Sequence, residues 1–425
     1  MYIKHVLKNN VRVLLSPLKE TKTVTVLVLF GVGSRYEEKR INGISHFIEH
    51  MMFKGTKRRP NTLAISKELD SVGAEYNAYT SKDVTGYWIK INHEKLSLAL
   101  DMVSDMLYNS KFDSTEIERE KKVICEELHM YRDNPMMYVD TLLEKLMFEP
   151  SPLGWDIGGD DPTILSLTRE DMVTFRDAHY YGKNLVVGVA GNFDAEEGIK
   201  MIETYFGDSW EKGERANTFK RYTHKKSTKP KFLVHYKDTE QVQFDMGFHG
   251  YGHSHEDIFA ASLLATILGG TMSSRLFIAV RERLGLCYSI RAQHQAFHDT
   301  GVFSIQAGLD TSRIEKAITV ILKELDRIKH KGVTATELKR AKDYMKGKMA
   351  LQFEDSENVV SWYVTQEVLT KKVCTPEEKL EKMSRVTIED VGRVARHLFT
   401  TQNINLAIIG PFKDQKQFLS LLKIQ

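Results

Sequence analysis

The sequence contains one pattern twice, and this repeat constrains the fold more than any other feature does. Thr168-Arg-Glu-Asp171 recurs as Thr387-Ile-Glu-Asp390, and in each case a helix-like stretch and an apolar strand follow. Gly73-x-x-Tyr76 and Gly285-x-x-Tyr288 form a second matching pair in the same order along the chain. A shared order of short matches indicates two copies of one domain of about 200 residues.

The segment between the two copies is polar and basic. From Ser209 to Lys231 it is rich in lysine and has few apolar residues, which favours a solvated linker over a nucleic-acid-binding patch. We therefore predict an N-terminal domain over residues 1–210, a polar linker over 211–230 and a C-terminal repeat over 231–425.

Charge and cysteine content narrow the function classes. The 425 residues include 60 Lys and Arg against 57 Asp and Glu, and this balance argues against nucleic acid or an anionic membrane surface as a partner. The three cysteines lie far apart, which makes a disulfide framework or a thiolate zinc site improbable. The longest apolar stretch, 24–33, is about half of what a membrane helix needs. The first residues lack the pattern of a signal peptide, so we expect a cytoplasmic protein.

Hydrophobic periodicity predicts alternating strands and helices in the first copy. Strands are expected over 24–30, 75–80 and 85–91, and helices over 43–53, 63–72, 95–108 and 115–131. Asp113, with Glu116 three residues later, is a candidate N-cap for the last of these helices. The mixture predicts an α+β fold with two homologous domains, each a mainly antiparallel sheet with helices packed on one face.

A metal-binding pattern lies in the first predicted helix, His46-Phe-Ile-Glu49-His50. Side chains four residues apart share a helix face, so both imidazoles can reach one Zn²⁺. Glu49 precedes the second histidine and can take a proton from a zinc-activated water molecule. Phe47 and Ile48 are expected to face the core.

A catalytic zinc site needs a third protein ligand, and periodicity alone does not select it. The helix predicted over 115–131 offers five carboxylates, of which Glu120 and Glu127 share a face. Val123 and Ile124 are expected on its buried side. The candidates are Glu116, Glu118, Glu120, Glu126 and Glu127.

Taken together, these sequence motifs resemble those of the pitrilysin-type metallopeptidases, or inverzincins. Their H-x-x-E-H motif reverses the residue order that is common in zinc proteases. The resemblance spans essentially the whole chain. The length of the chain is similar to that of members of the bacterial and mitochondrial processing-peptidase branch. The matching segments are 46–56, 73–80, 118–127 and 281–288.

The resemblance implies a role for each matching residue of the first copy. His46, His50 and Glu127 correspond to the ligands of one zinc ion per chain, and Glu49 corresponds to the general base. Glu120 corresponds to an acidic residue that supports the site. Glu126 remains a competing third ligand, because the match of the Glu126–Glu127 doublet to the family pattern could be shifted by one position.

Substrate contacts are also implied by the resemblance. Asn77, Ala78 and Tyr79 correspond to a strand edge that binds extended peptide through backbone hydrogen bonds. In the second copy, Arg281 and Tyr288 correspond to donors toward substrate carbonyls and the developing oxyanion. The positions that face the first copy's metal ligands and base cannot hold the metal in the same way, which predicts a structural or substrate-binding second copy; they are Ala261, Leu264, Ala265 and Lys348.

The implied function is a zinc-dependent endopeptidase that cleaves extended or unfolded peptides inside a closed chamber. Family architecture implies a homodimer in which the zinc site of one chain faces the Arg281 and Tyr288 pair of the other. The alternative is a non-catalytic structural or activating subunit of a peptidase-like complex. A purely structural zinc is a weaker third idea, because structural sites normally close all four positions with Cys or His.

Two further groups of residues need an assignment. Six methionines on helical apolar faces are expected to fill the core: Met51, Met52, Met102, Met106, Met136 and Met137. A histidine-containing loop with His249, His253 and His255 could hold a second metal, and the sequence leaves open whether it binds anything.

Overall fold

The computed structural model describes residues 2–207, 218–225, 227–414 and 416–424. Positions 211–217 and Lys226 of the predicted linker lie outside this described part. The strands are β1 Ile3–Val6, β2 Arg12–Pro17, β3 Thr23–Phe30, β4 Glu75–Thr80, β5 Thr85–Asn92, β6 Leu185–Gly191, β7 Lys231–Tyr236, β8 Gln241–Gly250, β9 Cys287–Ala296, β10 Gly301–Asp310 and β11 Asn405–Gly410.

The α-helices of the first half of the chain are α1 Ile44–Met52, α2 Thr62–Asp70, α3 Leu96–Asn109, α4 Ser114–Asp133, α5 Pro135–Phe148, α6 Asp161–Ser166, α7 Arg169–His179 and α8 Ala195–Phe206. Those of the second half are α9 Ile258–Gly269, α10 Ile314–Lys331, α11 Ala335–Gln352, α12 Ser356–Thr370, α13 Pro376–Ser384 and α14 Ile388–Leu398, with a π-helical segment at Phe277–Glu282. None of the helices in the described residues is long and apolar enough to cross a membrane.

The chain forms two compact units, and each takes one segment from the other half of the sequence. The first unit comprises Met1–Leu128, Asp156–Lys220 and Met349–Thr375. The second comprises His129–Trp155, Arg221–Lys348 and Pro376–Gln425. The predicted boundaries at 210 and 231 divide the two repeats along the sequence, and they stay a prediction. The spatial units differ from a division along the sequence, because α5 belongs to the second unit and α12 to the first.

The first unit is built on a six-stranded sheet with the order β1-β2-β6-β3-β5-β4. Only the β2–β6 pair is parallel, so the sheet is mainly antiparallel as predicted. The central strand β3 is buried from Val24 to Phe30, and the apolar side chains on one of its faces join those of α1, α3 and α8 in one core. This core holds the helix that carries the His-x-x-Glu-His pattern.

The second unit repeats this plan with the strand order β7-β11-β8-β10-β9, again with one parallel pair, β7–β11. Its core packs α9, α10 and α14 against one face of the sheet. The repeat extends to the helix starts, because Thr168 with Asp171 and Thr387 with Asp390 form capping boxes at α7 and α14. The predicted α+β fold of two homologous domains is confirmed.

A helix on the opposite face of each sheet was not anticipated from the sequence. In the first unit, Val360 and Val364 of α12 pack against Leu29 and Val186. A Cβ atom at Gly188 would lie 2.2 Å from Cγ2 of Val364, so only glycine permits this approach. In the second unit, α5 covers the equivalent face.

Three expectations about buried side chains are wrong. Val123 is 51% exposed, while its neighbour Ile124 is fully buried. Adjacent helical residues point about 100° apart, so only one of the two side chains faces the core. Met136 and Met137 at the start of α5 are also about half exposed, unlike the four other methionines, which are buried as expected.

Candidate metal centre

The helix α1 presents His46, Glu49 and His50 because its other face is apolar. Phe47, Ile48 and Met51 are fully buried in the core of the first unit. The three polar side chains therefore share the remaining face, as the spacing predicted. The helix is nine residues long, and the histidines stand near its start and near its end.

Two imidazoles and one carboxylate converge beside this helix. The Nε2 atoms of His46 and His50 lie 3.2 Å apart. Oε2 of Glu127 on α4 lies 3.4 Å from Nε2 of His50 and 3.8 Å from Nε2 of His46. Among the residues that the structure describes, this is the only group of three or more His, Cys, Asp or Glu side chains whose donor atoms all lie within 4.8 Å of one another.

The donor set fits a divalent metal ion. Burial lowers the pKa of His46 to about 3, and the neighbouring His50 adds to this, so the His46 ring is neutral and keeps a lone pair for a metal. The Nδ1 atom of His46 is buried without a hydrogen-bond partner among the described residues, so its ring is held by packing. Two imidazoles and a carboxylate are a ligand set of catalytic zinc sites.

Glu120 and Lys54 orient the second histidine. Nδ1 of His50 lies 2.8 Å from Oε1 of Glu120, and Nζ of Lys54 lies 2.6 Å from Oε2 of the same carboxylate. Burial raises the pKa of Glu120, but hydrogen bonds from His50 and Lys54 outweigh it and leave the pKa below its usual value. An ionised Glu120 makes Nδ1 of His50 the donor and leaves Nε2 free.

Glu49 is held by Thr80, the last residue of β4. The Thr80 hydroxyl donates a hydrogen bond of 2.5 Å to Oε2 of Glu49. Burial raises the pKa of Glu49, and the Thr80 hydrogen bond opposes this. A carboxylate with a raised pKa beside a possible metal site suits general-base chemistry. Thr80 therefore joins the candidate base to the end of a strand.

The strand β4 is the outermost strand of its sheet, and no strand among the described residues pairs with its outer edge. At this edge, the Ala78 amide donates to Oδ1 of Asn77 at 2.9 Å. The ring of Tyr79 packs over Gly86, and burial raises the pKa of Tyr79 to about 12. The edge is thus available to an extended chain, while the role of Asn77, Ala78 and Tyr79 in binding substrate stays a prediction.

Arg281 and Tyr288 come together in the second unit. Cζ of Arg281, in the π-helical segment, lies 5.5 Å from the centre of the Tyr288 ring on β9. Tyr288 is 76% exposed, so its hydroxyl is accessible. Their predicted action on a substrate is not tested by this arrangement.

The second unit holds no counterpart of the metal donors at the matching positions. Ala261, Leu264 and Ala265 lie buried in α9, and Lys348 is exposed on α11. The histidine loop also differs from a metal site: His249 lies on β8 with its ring 3.9 Å from that of His224. No metal-binding group in the described residues includes His249, His253 or His255.

Three residues that the sequence reasoning missed complete the surroundings of the centre: Glu37, Lys54 and Thr80. Lys54 stands four residues after His50, a spacing that could have suggested a shared face. Thr80 and Glu37 carry no comparable signal, because their partners lie on other segments of the chain.

A repeated α+β unit with an inverted His-x-x-Glu-His helix in its first copy defines the pitrilysin type of protein. Comparison with known families agrees with this class. The family model described as insulinase (peptidase family M16) matches residues 12–161, and the model described as the peptidase M16 inactive domain matches residues 166–345. The chain belongs to the M16 peptidase family.

Relatives share the full length of the chain. An uncharacterized zinc protease of Bacillus subtilis, YmxG, is 35% identical over 411 residues, which cover 97% of this chain and 98% of that protein. An uncharacterized zinc protease of Rickettsia bellii is 33% identical over 95% of this chain and 96% of its own length.

Solved structures show the same fold. A protease from Helicobacter pylori superposes with a TM-score of 0.90 at 24% identity, covering 97% of this chain and 99% of that chain. A structure from Pseudomonas fluorescens, described as a peptidase M16 inactive domain, has a TM-score of 0.89 at 18% identity, covering 98% of this chain and 99% of that one.

Proposed function

We propose that this protein is a zinc-dependent endopeptidase that hydrolyses extended or unfolded peptides. The observation that carries the proposal is the convergence of His46, His50 and Glu127, with Glu49 on the same helix face. The zinc-protease names of full-length relatives support the same reaction class. We also propose a cytoplasmic location, which rests on the sequence alone.

The residues of the centre divide the chemistry among them. His46, His50 and Glu127 would hold one zinc ion per chain, which supplies Lewis-acid chemistry when bound. Glu49 accepts a proton from the attacking water and can return it to the leaving amine. Thr80 keeps the Glu49 carboxylate in place, and Glu120 with Lys54 orients His50.

Substrate binding would use the open edge of β4. An extended peptide that adds to this edge forms backbone hydrogen bonds, which explains a preference for unfolded segments. The edge leads to Thr80 and therefore to Glu49. Asn77, Ala78 and Tyr79 would contact the backbone of such a peptide.

Arg281 and Tyr288 would act on the substrate from a second copy of the chain. A guanidinium and a phenol donate hydrogen bonds that strengthen as negative charge develops on the substrate oxygen. We propose a homodimer in which these donors face the zinc centre of the partner and the two chains enclose a chamber. Since the sequence holds both halves of this set, two identical chains suffice.

The alternative function is that of a non-catalytic structural or activating subunit. It requires a different chain that co-purifies in a fixed ratio, while the lone chain remains inert. The complete donor set of the first unit favours catalysis over this alternative.

The experiment compares the purified protein with Glu49→Gln on a quenched-fluorescent peptide. The variant keeps the size of the side chain but cannot accept a proton, so hydrolysis should fall by about 10²–10⁴-fold. Metal content, measured on the same samples, should not change. Turnover near that of the wild type with metal bound contradicts the proposal. A matched control, Glu126→Gln on the exposed side of α4, should keep full activity.

A further inference from the structure

The start of α1 is held by a carboxylate from six residues upstream. Gly43 precedes the helix with φ of 95° and offers no side chain as a cap. Instead, Oε2 of Glu37 accepts a hydrogen bond of 2.7 Å from the Gly43 amide, and Oε1 accepts one of 2.9 Å from the Ser45 amide. The first amides of a helix lack partners within the helix, so Glu37 replaces the missing cap.

Asn42 extends this contact to a second segment. Its Nδ2 donates to Oε2 of Glu37 and to the carbonyl oxygen of Asp156, each at 2.9 Å. Glu37 is 3% exposed and Asn42 is 1% exposed, so the network is closed to solvent. Buried, fully paired polar groups of this kind fix one arrangement of the chain around them.

The segment that Asn42 holds packs against His46. A Cβ atom at Gly158, two residues after Asp156, would lie 3.6 Å from Nδ1 of His46. A Cβ atom at Gly43 would lie 2.6 Å from the Gly158 carbonyl oxygen, so the helix start and this segment are in close contact. Glu37 and Asn42 therefore fix both the backbone that carries His46 and the surface on which its ring rests.

The position of His46 makes it sensitive to this network. His46 is the third residue of α1 and directly follows Ser45, whose amide Glu37 binds. Helix ends fray when their first amides lose their partners, and a metal ligand tolerates displacements of only about 0.2 Å. Loss of the cap should displace this imidazole before it affects His50, one turn further on.

We propose that Glu37, together with Asn42, is a positioning residue for the metal centre, setting the start of α1 so that His46 meets His50 and Glu127. The inference rests on the proposed zinc site. Glu37 makes no contact with the ligand atoms, so it acts through the helix start and, by way of Asn42, through the segment from Asp156 to Gly158.

A matched control separates positioning from general stabilisation. Glu367 on α12 belongs to the same unit, is 1% exposed and pairs with Lys4 at 2.7 Å and Arg12 at 3.1 Å. These two partners lie on β1 and β2 and not on α1. Glu367→Gln therefore removes an equally buried carboxylate and should destabilise the protein without disturbing the metal centre.

The experiment measures Zn²⁺ affinity by competition with a chromophoric chelator, and the visible spectrum of bound Co²⁺, on the metal-free full-length protein. In Glu37→Gln, an NH₂ group replaces one of the two carboxylate oxygens. Because this group is a donor and faces a donating backbone amide, at least one of the two hydrogen bonds to the helix start is lost. We expect affinity to fall by about 10–100-fold, the usual effect of losing a residue that orients a ligand, and the Co²⁺ spectrum to change. Asn42→Ala should act in the same direction, and Glu367→Gln should match the wild type in both readouts.

Wild-type affinity and spectrum in Glu37→Gln overturn the inference. Should that variant fail to fold, Asn42→Ala decides by the same criterion. An equal loss in Glu367→Gln also overturns it, because the effect would then be general destabilisation. A wild-type protein that takes up neither Zn²⁺ nor Co²⁺ contradicts the proposed function itself. This result differs from the one that overturns only the inference, in which the wild type and Glu37→Gln bind metal equally well.

Discussion

Nδ1 of His50 lies 2.8 Å from Oε1 of Glu120, and this contact decides which nitrogen of the ring is free. Glu120 is 3% exposed and also binds Lys54, so it remains an acceptor. Nδ1 of His50 is the donor toward this acceptor, and Nε2 faces His46 and Glu127. A contact between α1 and α4 thus orients one imidazole of the candidate donor set.

Removal of the carboxylate or the ammonium of this contact should weaken metal binding. We expect Glu120→Gln to lower Zn²⁺ affinity by about 10–100-fold, and Lys54→Met to lower it less, because Glu120 then loses one of its two partners. Chelator competition measures both. Lys57→Met, an exposed lysine three residues further on, is the control. Unchanged affinity in Glu120→Gln would show that His50 needs no charged partner.

The choice of third ligand has a direct check in the Glu126 and Glu127 doublet. Glu127 points its carboxylate at both histidines, whereas Glu126 is exposed. Glu127→Gln should abolish zinc retention after gel filtration, and Glu126→Gln should retain one equivalent. The reverse result would reassign the ligand to Glu126.

The proposed role of Tyr288 predicts a purely kinetic defect. Tyr288→Phe removes a hydroxyl donor, and loss of one such donor typically costs about 10²–10³-fold in kcat. Zinc content should stay unchanged, because Tyr288 belongs to the unit without the metal donors. Tyr236→Phe, another exposed tyrosine of the same unit, is the control for peptide hydrolysis. If kcat of Tyr288→Phe equals that of the wild type, the oxyanion role is wrong.

A buried acid pair in the second unit predicts a pH-dependent stability. Burial, and then the nearby Asp140, raise the pKa of Asp245 well above its usual value. The native state therefore keeps a proton that the unfolded state loses above a pH of about 4, so this group lowers the free energy of unfolding as pH rises. Asp245→Asn needs no proton, so its melting temperature should rise relative to the wild type between pH 5 and pH 8.

Calorimetry across this pH range checks the prediction. Asp238→Asn, at an exposed aspartate two residues after β7, should show a difference from the wild type that does not change with pH. A constant difference for Asp245→Asn as well would mean that Asp245 is ionised in the folded protein.

Local pattern was enough to predict several elements of the first copy, among them β3, β4, β5 and α4. The alternation of Tyr87, Ile89 and Ile91 predicted β5, and all three are buried. Asp113 caps α4 through hydrogen bonds from the amides of Thr115 and Glu116, as expected. The exchange of α5 and α12 could not be predicted, because apolar residues in a helix indicate that it packs against a partner but do not show which sheet that partner belongs to.

The same limit applies to the metal centre. The spacing of His46, Glu49 and His50 lies within one helix turn, so sequence alone predicts their common face. Thr80, Glu37 and Lys54 act through contacts to groups on other turns or segments, and no periodicity links them to their partners. The assignment of Glu127 as the third ligand depended on the family resemblance, because any of the five carboxylates on α4 could have supplied the ligand oxygen.

The most direct measurement is zinc stoichiometry on protein prepared without chelators and titrated with Zn²⁺. The account predicts one zinc ion per chain in the wild type by elemental analysis, and none in a variant that combines His46→Ala with His50→Ala. A wild-type protein that contains no transition metal, and takes up none on titration, would contradict it.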